Sequence, residues 1–400
     1  MQSSNLQTNK TTFDTIVLGC GGIGAGALYW LSRRLGGDVL GIEQFSLFHH
    51  NGGSQDRSRI IRLQYHRSQY AQLTPHTYRA WETVSEEAGV DVVTQTGGIM
   101  LADVEQPVPV TAIRRYAQSL TDASIAFDWL DADELQYRFP QFKLSGDVVA
   151  FYQQNAGIAD PQRGNGCHIA LARARGAAIL EKNPVHHLTQ RDSEIIVESE
   201  QGTFRCRHLV ITAGAWTNQL LKHFGVQFPL RVTQEQVTYY ATPNLKKFSV
   251  GRFPVWQWKT EQRGIYGFPV YGEVATKAAI DESGEEVAAN ARTFEPNVER
   301  ENELRAFLDT HLPEFVGPKL YTKTCLYTMP PDRDFILGTL PNHSNVSVIV
   351  GAGHAYKFAS LLGKIASELA IDGESAHDIS LFSPSRPALH NKDYVRDYRY

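Results

Sequence analysis

Cysteine is scarce in this sequence: four in 400 residues, at Cys20, Cys167, Cys206 and Cys325. Their separations match neither a zinc site nor a CxxC redox pair, and an even count in a chain of this length does not imply a disulfide framework. Long apolar runs are lacking too. None approaches the roughly 18–20 residues needed to span a bilayer, and the polar first twelve residues lack the apolar segment of a secretory signal. Basic excess is absent: 39 Lys and Arg stand against 43 Asp and Glu, a formal net charge of −4. Apart from Arg57, Arg59 and Arg62 the cations are dispersed, which is not the footprint of a nucleic-acid binder. The histidine doublets His49-His50 and His186-His187 read as poor metal sites, because adjacent residues on a strand point to opposite faces, and no metal is expected. Repeats and low-complexity tracts are missing. The 397–400 ending, DYRY, is not a peroxisomal address. The expectation is a soluble cytoplasmic protein without membrane or nucleic-acid partners.

What is present is enough apolar residue, 42% of the chain, for two domains with cores of their own. Phe13–Leu18 is a short apolar run suited to a buried strand. Gly19-Cys20-Gly21-Gly22-Ile23-Gly24 follows it, then a helical stretch from Ala25 to Arg34, then a second strand-like run from Asp38 that ends on Glu43. Strand, glycine turn, helix, strand and acid within about 30 residues are the parts of a dinucleotide site, for NAD or FAD alike. The first glycine permits the tight turn, the second lets backbone approach a pyrophosphate, and the third lets the helix pack closely. The helix start offers free N–H groups to phosphate, and Glu43 can accept from ribose hydroxyls.

Two more strand ends carry glycine: Leu209–Ala213 before Gly214-Ala215-Trp216, and Val346–Val350 before Gly351-Ala352-Gly353. They suggest one nucleotide domain assembled from separated segments, 1–85, 151–225 and 321–400. The intervening 86–150 and 226–320 read as a second domain. Its probable strands are Val232–Ala241, Gly264–Tyr271 and Val274–Ile280, with a helix over Glu301–Leu312 and a charged loop over Glu282–Glu286. The expected fold class is α/β plus α+β: a Rossmann nucleotide domain with a second domain built on a mixed or antiparallel sheet.

The late segment is the most specific. It runs through Thr324-Cys325-Leu326-Tyr327-Thr328, Pro331-Asp332-Arg333-Asp334-Phe335-Ile336-Leu337, Pro341, Ser344-Asn345-Val346 and Gly353-His354-Ala355-Tyr356-Lys357-Phe358. With Ser58-Arg59-Ile60-Ile61-Arg62 and Gly214-Ala215-Trp216, it resembles the monomeric sarcosine oxidase family, which includes N-methyltryptophan and pipecolate oxidases. The resemblance runs from about Phe13 to about Ala388. It implies a glutathione-reductase-type FAD domain, a monomer, and oxidation of a secondary or tertiary amino acid with oxygen as acceptor, giving imine and hydrogen peroxide.

Residue by residue, the resemblance implies a thioether to the flavin at Cys325, an oxygen-activating cation at Lys277, and a carboxylate clamp of Arg62 and Lys357. Arg59 would lie against the flavin face, Tyr266 and Tyr327 would line the substrate cavity, and His354 would sit by the cofactor. Gly19, Gly21, Gly22, Ile23, Gly24, Glu43, Gln44, Ser54, Ile60, Val185, Gly214, Trp216, Gly351 and Gly353 complete the expected cofactor contacts. Three departures touch the substrate cavity. Asp281 and Gln55 stand where the family commonly has histidines, and the loop Gly351-Ala352-Gly353 is one residue shorter. They point away from plain sarcosine. Asp281 either pairs with a second cationic group on the substrate or turns outward into solvent. The competing functions are a dehydrogenase of the same fold that feeds an electron carrier, and a flavin-binding subunit without turnover.

Overall fold

The apolar run behind the glycine turn forms the strand Thr12–Leu18, in the middle of an eight-stranded sheet. The computed structural model describes residues 10–391 and 393–395; the polar stretch before residue 10 and the 397–400 ending lie outside them. Parallel neighbours flank this strand on both sides. Val39–Ile42 sets Ile42 opposite Leu18, and Gly202–Ile211 sets Ile211 opposite Leu18. Ala178–Leu180 extends one side, and His343–Val350 runs parallel to the end of Gly202–Ile211. The chain thus leaves the central strand toward one side and returns on the other. The carboxyl ends of the two flanking strands form a topological switch point, where open parallel sheets bind their ligands.

The helix Gly22–Leu35 covers one face and packs on the helix Ala359–Asp372. Leu28, Leu31, Val17, Val39, Ile349 and Leu362 meet there in one core. The opposite face is closed by Ile16, Ile211 and Val348 packed with Leu188, Val197, Leu221 and Phe224.

A second, nine-stranded sheet carries the rest. Arg231–Tyr240 pairs antiparallel along its length with Lys319–Met329, and also with Thr276–Asp281. Antiparallel pairing continues through Gly264–Phe268 to Val255–Lys259, which then runs parallel to Gly98–Asp103. Trp256, Trp258, Ile265, Ala278 and Ile280 turn to one face and pack on Leu304 and Leu308 of the helix Val298–His311. With a side-chain period of two, Gln257, Lys259, Tyr266, Lys277 and Asp281 fall on the other face, where they line a cavity.

A parallel doubly wound sheet joined to a mostly antiparallel one agrees with the expected architecture, but the expected boundaries differ. Val148–Gln153 and Lys319–Met329 belong to the second sheet, so divisions at 151 and 321 each cut a strand. Cys325 therefore sits in the second sheet, through a pairing with Glu235 that no local pattern announces. The segment expected as a charged loop contains a two-residue strand, Glu285–Glu286, paired with Thr233 and Gln234. His49-His50 lies outside any strand, so the opposite-face argument applies only to His186-His187 in Val185–Arg191. Among the described residues no helix is long and apolar enough to cross a membrane, and no three His, Cys, Asp or Glu side chains cluster to hold a metal.

Candidate active site

A cavity of about 400 Å³ runs from the glycine turn to the face of the second sheet. At its near end Gly19 takes φ +90°, and a Cβ there would stand 2.8 Å from the Thr212 carbonyl oxygen, so a side chain is resisted by conformation and by space. The helix start at Gly21 has no side-chain cap and no acidic residue in its first turn, which leaves its partial positive charge to an anion. One N–H, that of Gly22, donates to Ser54 Oγ at 2.9 Å. Glu43 closes the next strand. Its Oε2 accepts from Cys20 N–H at 2.8 Å and its Oε1 from Phe45 N–H at 3.0 Å, and each oxygen keeps acceptor capacity for a hydroxyl. Ile23, Gln44, Val185, Gly214, Trp216, Gly351 and Gly353 line the same space.

The far end lies between the 52–62 segment and the second sheet. Arg62 is 8% exposed, with its guanidinium 5.0 Å from the Tyr65 ring centre and 5.6 Å from that of Tyr116. Its Nε and Nη1 are buried without a hydrogen-bond partner among the described residues. Lys357 Nζ donates to the His354 carbonyl at 2.8 Å; burial, with Arg62 nearby, holds its ammonium well below the ordinary lysine range.

Lys277 is 2% exposed, and its Nζ reaches Asp56 Oδ2 at 2.7 Å and both the carbonyl and hydroxyl oxygens of Ser58 at 2.9 Å. Burial pulls this ammonium down to about 8, with Asp56 opposing and Arg59 adding to the fall. Asp56 also accepts from the Tyr239 hydroxyl at 2.5 Å and lies 3.6 Å from Arg59 and 3.3 Å from Lys323. Burial would raise its carboxyl, but Lys277 and Arg59 outweigh that and hold it well below the usual carboxylate range. Arg59 and Ile60 line the cavity beside it.

Cys325 faces the same space as a buried free thiol, pushed up to about 11 by burial against the pull of Arg59 and Arg292. Tyr266 and Tyr327 are neutral phenols, both raised first by burial. His354 has its Nε2 3.1 Å from the Arg333 carbonyl and its ring 4.8 Å from that of Phe335; burial, then Lys357, keeps it uncharged.

A profile for FAD-dependent oxidoreductases matches residues 14–369. The chain belongs to this family. It is 33% identical to the monomeric sarcosine oxidase of Streptomyces avermitilis, over 94% of this chain and 98% of that one. It is 29% identical to the N-methyl-L-tryptophan oxidase of Escherichia coli O157:H7, over 94% and 99%. Among solved structures it is similar to NikD, an amino acid oxidase essential for nikkomycin biosynthesis, with a TM-score of 0.83, 28% identity and coverage of 94% and 98%.

An FAD-dependent oxidoreductase of this type must seat a dinucleotide, and the residues present fit one. The uncapped helix start and Glu43 suit the adenosine and pyrophosphate half, and Arg59, Lys277 and Cys325 line the far end of the same cavity. All the expected site residues line this cavity except Gly24. A Cβ at Gly24 would collide with the Gly19 carbonyl oxygen, so Gly24 serves the close packing of helix on turn rather than contact with a ligand. Gly24→Ala is expected to lower the flavin content of the purified protein below about a tenth of the parent's, read from the visible absorbance per polypeptide.

Two expectations change. Gln55 lines the cavity, but its amide is engaged by the His50 ring and by the Thr324 carbonyl; it braces the strand next to Cys325 instead of presenting a free group to substrate. Asp281 neither turns into solvent nor offers a free anion. Both its oxygens accept from Arg333 Nη2 at 3.0 Å, and its carboxyl is held down at about 2, with Arg333 and then Lys259 overcoming burial. Arg333 also donates to Glu282 at 3.0 Å.

Arg333, Lys259, Gln257 and Asp56 were not singled out as site residues from the sequence. Arg333 stood in the family motif, and alternation along Val255–Lys259 would have paired Gln257 with Lys259. Nothing in the sequence joins Asp56 to Lys277.

Proposed function

We propose that this protein oxidises a secondary or tertiary amino acid, N-alkylated or cyclic, with oxygen as the acceptor and with FAD joined through Cys325. The observation that carries the reading is Arg62: a buried guanidinium with two nitrogens unpartnered among the described residues, beside Lys357, in the cavity that Cys325 and Lys277 also face. A bidentate arginine with a lysine point charge is suited to one carboxylate. FAD supplies the two-electron chemistry: a secondary amine loses a hydride equivalent from carbon and a proton from nitrogen, and oxygen leaves as hydrogen peroxide.

The chain's own groups orient and polarise. Arg62 and Lys357 hold the carboxylate, Tyr266 and Tyr327 wall the amine, and Lys277 sets a fixed cation where oxygen gains negative charge. No strong base is required, because the amine enters the reaction unprotonated, so amine oxidation speeds up toward alkaline pH.

A peroxide-coupled screen of N-methyl and cyclic amino acids, with the matching decarboxylated amines as controls, tests the reading. Amino acids should turn over and the decarboxylated amines should lag. Absence of both peroxide and anaerobic bleaching with every amino acid would sink it, while bleaching without peroxide would favour the carrier-linked dehydrogenase.

The linkage makes its own prediction. Since burial lifts the Cys325 thiol to about 11, its thiolate fraction rises about tenfold per pH unit below that value. Colour that survives denaturation should accumulate in apoprotein incubated with FAD about tenfold faster per unit of pH between roughly 7 and 9, and never in Cys325→Ala. A flat pH profile, or retained colour in the alanine variant, contradicts the assignment.

A further inference from the structure

Lys277 stands in the ladder between Tyr239 and Phe268, with its ammonium 5.6 Å and 4.5 Å from their ring centres. Neither ring carries a charge: Tyr239 is a neutral phenol, raised by burial and then by Asp56. Burial by itself drives the proton off a lysine. The anion that answers it comes from outside the sheet. Asp56, on the 52–62 segment, brings Oδ2 to 2.7 Å from the ammonium, and both side chains are buried.

The segment is built to hold the carboxylate there. Asp56 takes φ +86°, a region that side-chain-bearing residues seldom adopt and that Asp and Asn tolerate better than most. Glycine would meet that conformation at lower cost, so the turn does not explain the acid. Arg59 braces the segment by donating to the Gly53 and Gln55 carbonyls at 3.1 and 2.7 Å and to that of Ser58 at 2.9 Å. Oδ1 of Asp56 is engaged by the Tyr239 hydroxyl at 2.5 Å and by Lys323 at 3.3 Å, which leaves Oδ2 aimed at Lys277. The titratable and charged groups around the ammonium are thus Asp56, Arg59, Tyr239, Lys323 and the Cys325 thiol. Of the charges, Arg59 favours loss of its proton and Asp56 opposes that loss.

We propose that Asp56 is a positioning residue for the reaction with oxygen, its carboxylate keeping Lys277 charged and fixed in the cavity. This rests on the reading of Lys277 as the oxygen-side cation. Oxygen takes up two electrons and two protons to leave as hydrogen peroxide, and the negative charge it carries in between is what a fixed cation meets.

Two substitutions test the role. Asp56→Asn keeps the shape of the side chain and tolerates the backbone; Asp56→Gly removes the side chain and relieves the backbone. Reduced, flavin-loaded enzyme is mixed rapidly with oxygen across the pH range. The parent's rate should fall above about pH 8, and in both variants the fall should begin at least about one pH unit lower. The variants are then about tenfold slower than the parent near pH 8.5 and approach it by about pH 6. A second readout needs no turnover. In protein carrying isotope-labelled lysine, the Lys277 side-chain resonance, assigned by its absence from Lys277→Met, should titrate at about 8 in the parent and at least about one unit lower in both variants.

A deficit of the same size at every pH, or a titration midpoint that does not move, overturns the proposal. If Lys277→Met reoxidises like the parent, the oxygen reading of Lys277 fails and the proposal falls with it. If Lys277→Met is slow while both Asp56 variants keep the parent's pH profile, the proposal alone fails.

Discussion

Lys277→Met is expected to slow reoxidation of the reduced enzyme by air about 10²–10³-fold, the usual effect of removing one preorganised charge-stabilising group. Anaerobic reduction by substrate should stay within about threefold of the parent if, as proposed, the lysine serves only the oxygen step. The geometry makes Lys277 a fixed charge rather than a flexible one: its ammonium is pinned by Asp56 at 2.7 Å and by Ser58 at 2.9 Å. Asp56 does not cancel it, because Arg59 and Lys323 face the same carboxylate and the cluster stays positive.

A pH signature accompanies the rate. Lys277 is pulled down to about 8 by burial, so it loses its proton as pH rises through that value. The parent's reaction with oxygen should fall above about pH 8 while its oxidation of the amine rises, giving a bell in overall turnover. In Lys277→Met the fall should vanish. Rapid-mixing traces of both half-reactions between pH 6 and 10 check this. Equal oxygen rates in variant and parent would remove Lys277 from the oxygen step.

Arg62→Leu is expected to lower kcat/KM about 10²–10³-fold, corresponding to roughly 3–4 kcal/mol, within the range for truncating one partner of a buried charge pair. The leucine keeps apolar bulk against Tyr65 and Tyr116 but supplies none of the donors. Lys357 remains as a point charge, so carboxylates should still bind, weakly and with poor orientation. Arg62→Lys should fall between the two, about tenfold below the parent, because an ammonium cannot make the planar fork. Steady-state kinetics on an amino acid and its decarboxylated amine separate the contributions. The parent's preference for the acid should collapse in Arg62→Leu, and a preference within threefold of the parent would place the carboxylate elsewhere.

Much of this was legible along the chain because the carriers are local. The glycine turn, its two flanking strands and Glu43 lie within one short segment, and each has its own sterically enforced role. The run Val232–Ala241 likewise read as a strand, which the structure places at Arg231–Tyr240. What could not be read were contacts made only by the closing of the sheets. Asp281 meets Arg333 across 52 positions, a partner that neither of its two sequence readings supplied. Asp56 reaches Lys277 from a residue with φ +86°, an uncommon conformation for a side-chain-bearing residue that composition does not foretell. The domain limits slipped for a related reason: Lys319–Met329 looks like a prelude to the nucleotide segment that follows it, yet its partner is Arg231–Tyr240.

The strand Val255–Lys259 gives the protein two separately adjustable surfaces in five residues. Trp256 and Trp258 are committed to the core behind the sheet, and Gln257 and Lys259 to the cavity in front. Exchanges at the second pair, or at Asp281 and Tyr266 on the neighbouring strands, can therefore re-specify which amine is accepted without loosening the tryptophan packing. Libraries confined to these positions should yield mostly folded, flavin-loaded variants with altered preferences, whereas the same diversity moved by one residue along the strand should yield mostly aggregates.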